Sequence, residues 1–180
     1  MKRTYRKSLK GQNVLIIGGS GFIGSHLAED LLNIKVKKLI IIDNLSVGKK
    51  ENIKKIIHQV TFIKKNAENF NLLKKTIKKY NINTIFNLAT IALPFSFQFP
   101  RKTFETNVIV VLNLLELLRQ KKFKTLCHFS TSEVYGTAKY IPMDESHPLN
   151  PTTTYAAGKL AADKAVISYF KMFKLDGFIV

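Results

Sequence analysis

Apolar residues in this chain alternate between short continuous runs and longer stretches where they return every three or four positions. The runs predict strands at 13–17, 38–43, 60–64, 84–87, 125–130 and 177–180. The first, fourth and fifth are continuously apolar, as strands buried on both faces must be. Between them, 22–32, 69–80, 103–120 and 154–173 have helical spacing. In the third helix Val108, Val111, Leu112, Leu115 and Leu118 form one broad stripe. Strand and helix alternating in this way predict an α/β fold, a doubly wound parallel sheet covered on both faces. The segment 141–151, with Pro142, Pro148 and Pro151, reads as a loop leading into the last helix, which Thr152, Thr153 or Thr154 can cap.

Length and composition narrow the classes. With 180 residues, 46% of them hydrophobic and 23% charged, the chain can bury one core and is too apolar for disorder. Runs such as Val108 to Leu112 fall far short of the ~20 residues a membrane-spanning helix needs, so no membrane span is expected. Residues 1–12 form a basic extension, and the apolar run after it stops at Gly18, too soon for a signal-peptide core. The single Cys127 lies in a strand-like run and reads as a small buried hydrophobe, so a reducing cytoplasm is expected. The net charge of +17 raises nucleic-acid binding, but 25 of the 29 basic residues are Lys, scattered as pairs such as Lys74-Lys75 and Lys78-Lys79. Solvated helix faces and strand ends explain that pattern better, so no nucleic-acid partner is expected.

Chemistry enters at the first strand-helix junction. Gly18-Gly19-Ser20-Gly21-Phe22-Ile23-Gly24 follows the first strand directly and opens the first helix. Glycines there allow a sharp turn, close approach of amides to a pyrophosphate and tight helix-strand packing. Such a turn can also be a mere connector, so the second strand has to support the reading. It ends in Asp43, nineteen residues beyond Gly24, where a carboxylate accepts bonds from a ribose 2′-hydroxyl and repels a 2′-phosphate. NAD is therefore expected over NADP, with Lys49 and Lys50 near enough to blur the preference.

Tyr155-Ala156-Ala157-Gly158-Lys159 places a phenol and an ammonium on one helix face. A phenol is a weak base at neutral pH, and a neighbouring Lys charge stabilises the phenolate. Ser130-Thr131-Ser132, at the end of the fifth strand, lies where ligands of open parallel sheets bind. Each group alone has a bland reading, as an exposed pair or a strand terminator. In one chain, after a dinucleotide turn, they read jointly as an acid-base site. No metal-ligand cluster is expected.

With these motifs the chain resembles the extended short-chain dehydrogenase/reductase family, specifically the NAD-dependent nucleotide-sugar epimerases, dehydratases and decarboxylases. The resemblance runs from Asn13 to the last residue and rests on the glycine turn, Asp43-Asn44-Leu45, Asn87-Leu88-Ala89-Thr90, Thr106-Asn107, Ser130-Thr131-Ser132-Glu133-Val134-Tyr135-Gly136 and the Tyr155/Lys159 pair. It implies a Rossmann fold that binds NAD through Gly18, Gly21, Phe22, Ile23, Gly24, Asp43, Asn44, Asn66, Ala67, Leu88, Ala89, Thr90, Asn107, Tyr155 and Lys159. It also implies a nucleotide-sugar substrate whose C4 hydroxyl gives its proton to Tyr155 and its hydride to NAD, with Thr131 or Ser132 bonding the oxygen. The 4-keto sugar then leads to epimerisation, 4,6-dehydration or decarboxylation. Glu133 fits removal of a C5 proton, and Thr131-Ser132-Glu133 resembles the decarboxylases and some amino-sugar dehydratases, so chemistry beyond simple epimerisation is favoured. The family dimerises through two long helices, here 103–120 and 154–173, and a homodimer is implied.

Three departures qualify the resemblance. Lys65-Asn66-Ala67 replaces the usual Gly-Asp before the adenine loop, although Asn66 can still accept a bond from the adenine amino group. Gly158 replaces a common Ser and is expected to loosen the helix, at about 1 kcal/mol relative to Ala. In the family Val180 would be followed by a small substrate domain, so the reading is of a Rossmann domain over 13–180 lacking that part, with a non-catalytic NAD-binding remnant as the alternative.

Overall fold

The computed structural model describes residues 8–180, so the first seven residues of the basic extension lie outside it. The elements, in chain order, are β1 (Asn13–Ile17), α1 (Phe22–Asn33), β2 (Lys38–Asp43), a 3-10 segment (Lys50–Ile56), β3 (Thr61–Lys64), α2 (Phe70–Tyr80), β4 (Thr84–Asn87), α3 (Leu93–Ser96), α4 (Pro100–Arg119), β5 (Thr125–His128), a second 3-10 segment (Ser132–Tyr135), α5 (Thr154–Phe173) and β6 (Gly177–Ile179). The strands form one sheet in the order β3-β2-β1-β4-β5-β6, every pair parallel. This is the expected doubly wound α/β fold, and its order reverses between β1 and β4, where a ligand crevice opens above the strand ends.

Alternation along each strand builds two cores. Leu15, Ile17, Ile40, Ile42 and Ile85 point to the side covered by α2, α4 and α5, where they meet Leu73, Val111, Leu114 and Val166. Val14, Ile16, Leu39 and Ile41 point to the other, against Ala28 and Leu31 of α1 and Ile53 of the 3-10 segment. Leu9, just after the undescribed residues, packs on this second core.

Helix ends follow local chemistry. Of the three candidate threonines, Thr153 caps α5, its hydroxyl oxygen accepting from Ala156 N at 3.1 Å. Asn69, read as the first residue of α2, is instead its cap and accepts from Leu72 N at 2.9 Å. Helix α4 begins at Pro100, three residues earlier than the apolar spacing indicates, because a proline in the first turn brings a preset φ and lacks an N–H that would be unpaired there. Its buried apolar residues are Val110, Val111, Leu114, Leu115, Leu117 and Leu118, while Val108 and Leu112 are only half-buried. The stripe is displaced because α4 packs at once on the sheet and on α5. Both 3-10 segments and the four-residue α3 are too short to carry a periodic signal.

Gly158 does not loosen α5. The helix runs unbroken from Thr154 to Phe173, and a Cβ on Gly158 would stand 3.1 Å from Phe104 Cα, so the missing side chain is what lets α4 approach.

Leu114 is fully buried where α4 meets the sheet. Truncation to Ala is expected to lower unfolding free energy by about 2–5 kcal/mol. Urea titration of Leu114→Ala against the parent chain checks this, and a near-zero change would contradict the assigned packing.

Candidate functional site

The turn after β1 is shaped by backbone contacts only glycine permits. Gly18 has φ +81°, and a Cβ there would lie 2.9 Å from both Leu88 C and Ala89 N at the end of β4. A Cβ on Gly24 would collide with the Gly18 carbonyl, so α1 is pressed onto the end of its own strand. The first residue of α1 follows Gly21, which supplies no side-chain cap, leaving first-turn N–H groups open toward the crevice. Ser20 Oγ is fully buried and has no hydrogen-bond partner. An uncapped helix start with glycines in place of side chains is what a pyrophosphate requires, and the residues present fit a dinucleotide.

Asp43 closes the next wall. Its Oδ2 accepts from Ser20 N and its Oδ1 from Leu45 N, both at 2.8 Å, which fixes the carboxylate between the glycine turn and the loop after β2. Each oxygen keeps a further lone pair.

A cleft of about 510 Å³ occupies the switch point, within the roughly 300–1,000 Å³ usual for cofactor sites. From the glycine turn it is lined by Gly18, Gly21, Phe22, Ile23 and Gly24, and from the end of β2 by Asp43 and Asn44. Asn66 and Ala67 line it beyond β3, Leu88, Ala89 and Thr90 beyond β4, and Tyr155 and Lys159 on α5. Asn107 lies behind this wall: its Oδ1 accepts from Ile91 N at 2.8 Å and from Thr90 Oγ1 at 3.2 Å, pinning the segment after β4. Thr131, Ser132 and Glu133 stand outside the lining: Ser132 and Glu133 open the second 3-10 segment and Thr131 caps it, Glu133 N donating to Thr131 Oγ1 at 3.3 Å. Of that cluster only Ser130 reaches the cleft.

Behind Tyr155 and Lys159 lies a buried polar cluster that spacing alone did not single out. Lys159 Nζ donates to the Phe129 carbonyl. One helical turn further on, Asp163 Oδ2 accepts from Ser130 Oγ at 2.5 Å, and its Oδ1 is 3.3 Å from His128 Nε2. Asn87 Nδ2 in turn lies 3.2 Å from His128 Nδ1. Burial, reinforced by the Lys159 charge, pushes His128 down against the pull of Asp163. Burial also pushes the Lys159 ammonium down to about 8, against the pull of Asp163. The i, i+4 step from Lys159 to Asp163 was visible in the chain, but its pairing with Ser130 and His128 depends on how α5 lies across β5.

The cleft, the uncapped helix start and the fixed carboxylate define a dinucleotide-binding α/β protein with a Tyr/Lys pair in its crevice. The chain belongs to the GDP-mannose 4,6 dehydratase family, whose sequence profile matches residues 15–180. It is 33% identical over 172 residues to UDP-glucuronic acid decarboxylase 3 of Arabidopsis thaliana, covering 91% of this chain and 48% of that protein. It is 34% identical over 180 residues to dTDP-D-glucose 4,6-dehydratase of Dictyostelium discoideum, covering 91% of this chain and 42% of the relative. The chain thus spans about half the length of the curated relatives it matches. Among solved structures, UDP-glucose 4-epimerase of Thermotoga maritima superposes with a TM-score of 0.85 at 28% identity, over 93% of this chain and 54% of the other. The dTDP-glucose 4,6-dehydratase of Bacillus anthracis, solved in complex with NAD, gives 0.81 at 33% identity, over 93% and 53%.

The lowered value of Lys159 has a sign that can be measured. Between about 8 and the ordinary 10.5 the unfolded chain binds more protons than the folded one, so stability rises with pH across that window; below about 8 the full penalty of the buried ammonium is present. Lys159→Met is expected to flatten this rise, read as unfolding free energy at about pH 7 and about pH 10. An unchanged slope would contradict the burial of the charge.

Proposed function

We propose that the chain carries the NAD-binding part of an enzyme that modifies nucleotide-linked sugars through a 4-keto intermediate. In this reading residues 13–180 are the Rossmann domain and residues 1–12 a basic extension to it. The observation that carries it is that the glycine turn, Asp43 and the Tyr155/Lys159 pair line one cleft. NAD, when bound there, supplies a reversible hydride acceptor.

The chain's own residues do the rest. First-turn amides of α1, with Phe22 and Ile23 over the entrance, hold the pyrophosphate, and Asp43 with Asn44 takes the adenosine ribose. Asn66 and Ala67 receive the adenine; Leu88, Ala89 and Thr90, braced by Asn107, form the floor. Lys159 reaches the second ribose and supports negative charge on Tyr155. Tyr155 removes the proton of the sugar C4 hydroxyl, and Thr131 or Ser132 bonds that oxygen. Glu133 takes the proton at C5 once the neighbouring ketone has acidified it. The Thr131-Ser132-Glu133 triplet and the 33% identity to a decarboxylase favour chemistry beyond epimerisation, of the decarboxylase or dehydratase kind. Pairing of two copies through α4 and α5 is part of the same reading, supported by Phe104, Ile109 and Ile167 remaining partly exposed. A reducing cytoplasm suits the buried Cys127, whose thiol is pushed up to about 12 by burial.

The test is turnover of UDP- and dTDP-linked sugars with NAD, followed by mass spectrometry for keto or decarboxylated products. Tyr155→Phe is expected to lower turnover by about 10²–10⁴-fold, with NAD affinity held within a few-fold. Undiminished turnover in that variant would remove the acid-base assignment.

A further inference from the structure

The adenine end of the cleft contains a hydrogen-bonded hub that the proposed function does not use. Glu68 lines the cleft beside Asn66 and is largely shielded, its side chain 19% exposed. Its Oε1 accepts from Lys102 Nζ at 2.7 Å and from Thr106 Oγ1 at 2.5 Å, both on α4. Its Oε2 accepts from Asn66 Nδ2 at 2.5 Å, while its backbone N–H donates to Asn66 Oδ1 at 3.2 Å. Its carbonyl receives Asn113 Nδ2 at 2.8 Å, again from α4. Burial opposes the charge on Glu68, but the bonds from Lys102, Thr106 and Asn66 outweigh it and hold the carboxyl below its ordinary value.

The consequence falls on Asn66. An asparagine amide has a donor end and an acceptor end that exchange on a half turn, so an unrestrained Asn can bond an amino group or a carbonyl. Here both ends are specified by one residue: the carboxylate takes the N–H, and the backbone N–H takes the oxygen. Turning the amide would set oxygen against carboxylate and N–H against N–H. Oδ1 therefore keeps its orientation and one free lone pair, which suits a ligand donor and repels a ligand carbonyl.

Resting on the NAD reading above, we propose that Glu68 is a positioning residue that locks the Asn66 amide and thereby selects a 6-amino over a 6-oxo purine dinucleotide. Lys102 and Thr106 hold Glu68 in place by tethering it to α4. An aspartate at position 66 would accept without any such lock, whereas asparagine needs one.

The experiment compares NAD with nicotinamide hypoxanthine dinucleotide, identical except for a 6-oxo group and the N1 proton, by calorimetric titration of the 180-residue chain. The parent is expected to bind NAD about tenfold or more tightly, the effect of one mispaired polar contact. In Glu68→Gln, Oε1 can still serve Lys102 and Thr106 while Nε2 faces Asn66 donor to donor, so that only the 3.2 Å bond from the backbone N–H is left to orient the amide. The ratio is expected to fall by about threefold or more, chiefly through tighter binding of the hypoxanthine analogue. Glu68→Ala, which removes the carboxylate and leaves the amide held by the backbone bond alone, should weaken the preference likewise if the Gln variant melts early. An unchanged ratio in a folded variant, or no preference in the parent, overturns the inference and leaves NAD binding standing. Failure of the parent to bind either dinucleotide overturns the cofactor reading, and this inference with it.

Discussion

Everything at the crevice depends on how closely α1 is pressed to the end of β1. The contact of Gly24 with the Gly18 carbonyl tolerates no Cβ, and Gly18 itself, with φ +81°, abuts Leu88 and Ala89 of the neighbouring strand end. That single point joins the first helix to both sides of the switch point. A bulkier turn would tilt α1 away, unseat Ser20 N from the Asp43 carboxylate and lift the uncapped amides off the cleft. The Asp43 carboxylate is thus positioned by the glycine turn, and these two walls of the cleft are mechanically one.

The opposite wall is built on a different rule. Helix α5 carries Tyr155, Lys159 and Asp163 at four-residue steps, so one face presents phenol, ammonium and carboxylate in sequence from the cleft inward. Burying that face is unfavourable for the ammonium, and the structure offsets the penalty locally: Phe129 offers a carbonyl, and Asp163 a counter-charge already anchored by Ser130. Gly158, between the phenol and the ammonium, gives up helix propensity so that α4 can close on α5 at Phe104.

Most of this was legible in the chain. Short apolar runs located all six strands, β1, β2 and β4 to the residue, because polar residues mark the ends of those runs: Asn13, Lys38, Asp43, Thr84 and Asn87. The glycine turn, Asp43 and the Tyr155/Lys159 step could be read because each is local: residue type and spacing fix what it can do. What escaped was of two kinds. The segments Leu93–Ser96 and Lys50–Ile56 are too short to show a period, and the second exists because Ile53 and Ile56 are needed to cover the outer core. The Glu68 and Asp163 clusters join residues from elements distant in sequence, whose partners no spacing rule connects.

Those two clusters also show why a family pattern can be kept with altered parts. An asparagine at position 66 is an ambiguous group, able to present either end of its amide, and ambiguity in a recognition residue weakens discrimination. Glu68 removes it at small cost, because Lys102 and Thr106 already stand on α4 to neutralise and orient the carboxylate. The same logic governs Ser130, whose proton is committed to Asp163, so that toward the cleft it has only lone pairs to offer. Side chains one layer behind the wall thus decide which end of a polar group faces a ligand, and a substitution in that layer can alter recognition while leaving the contacting residues unchanged.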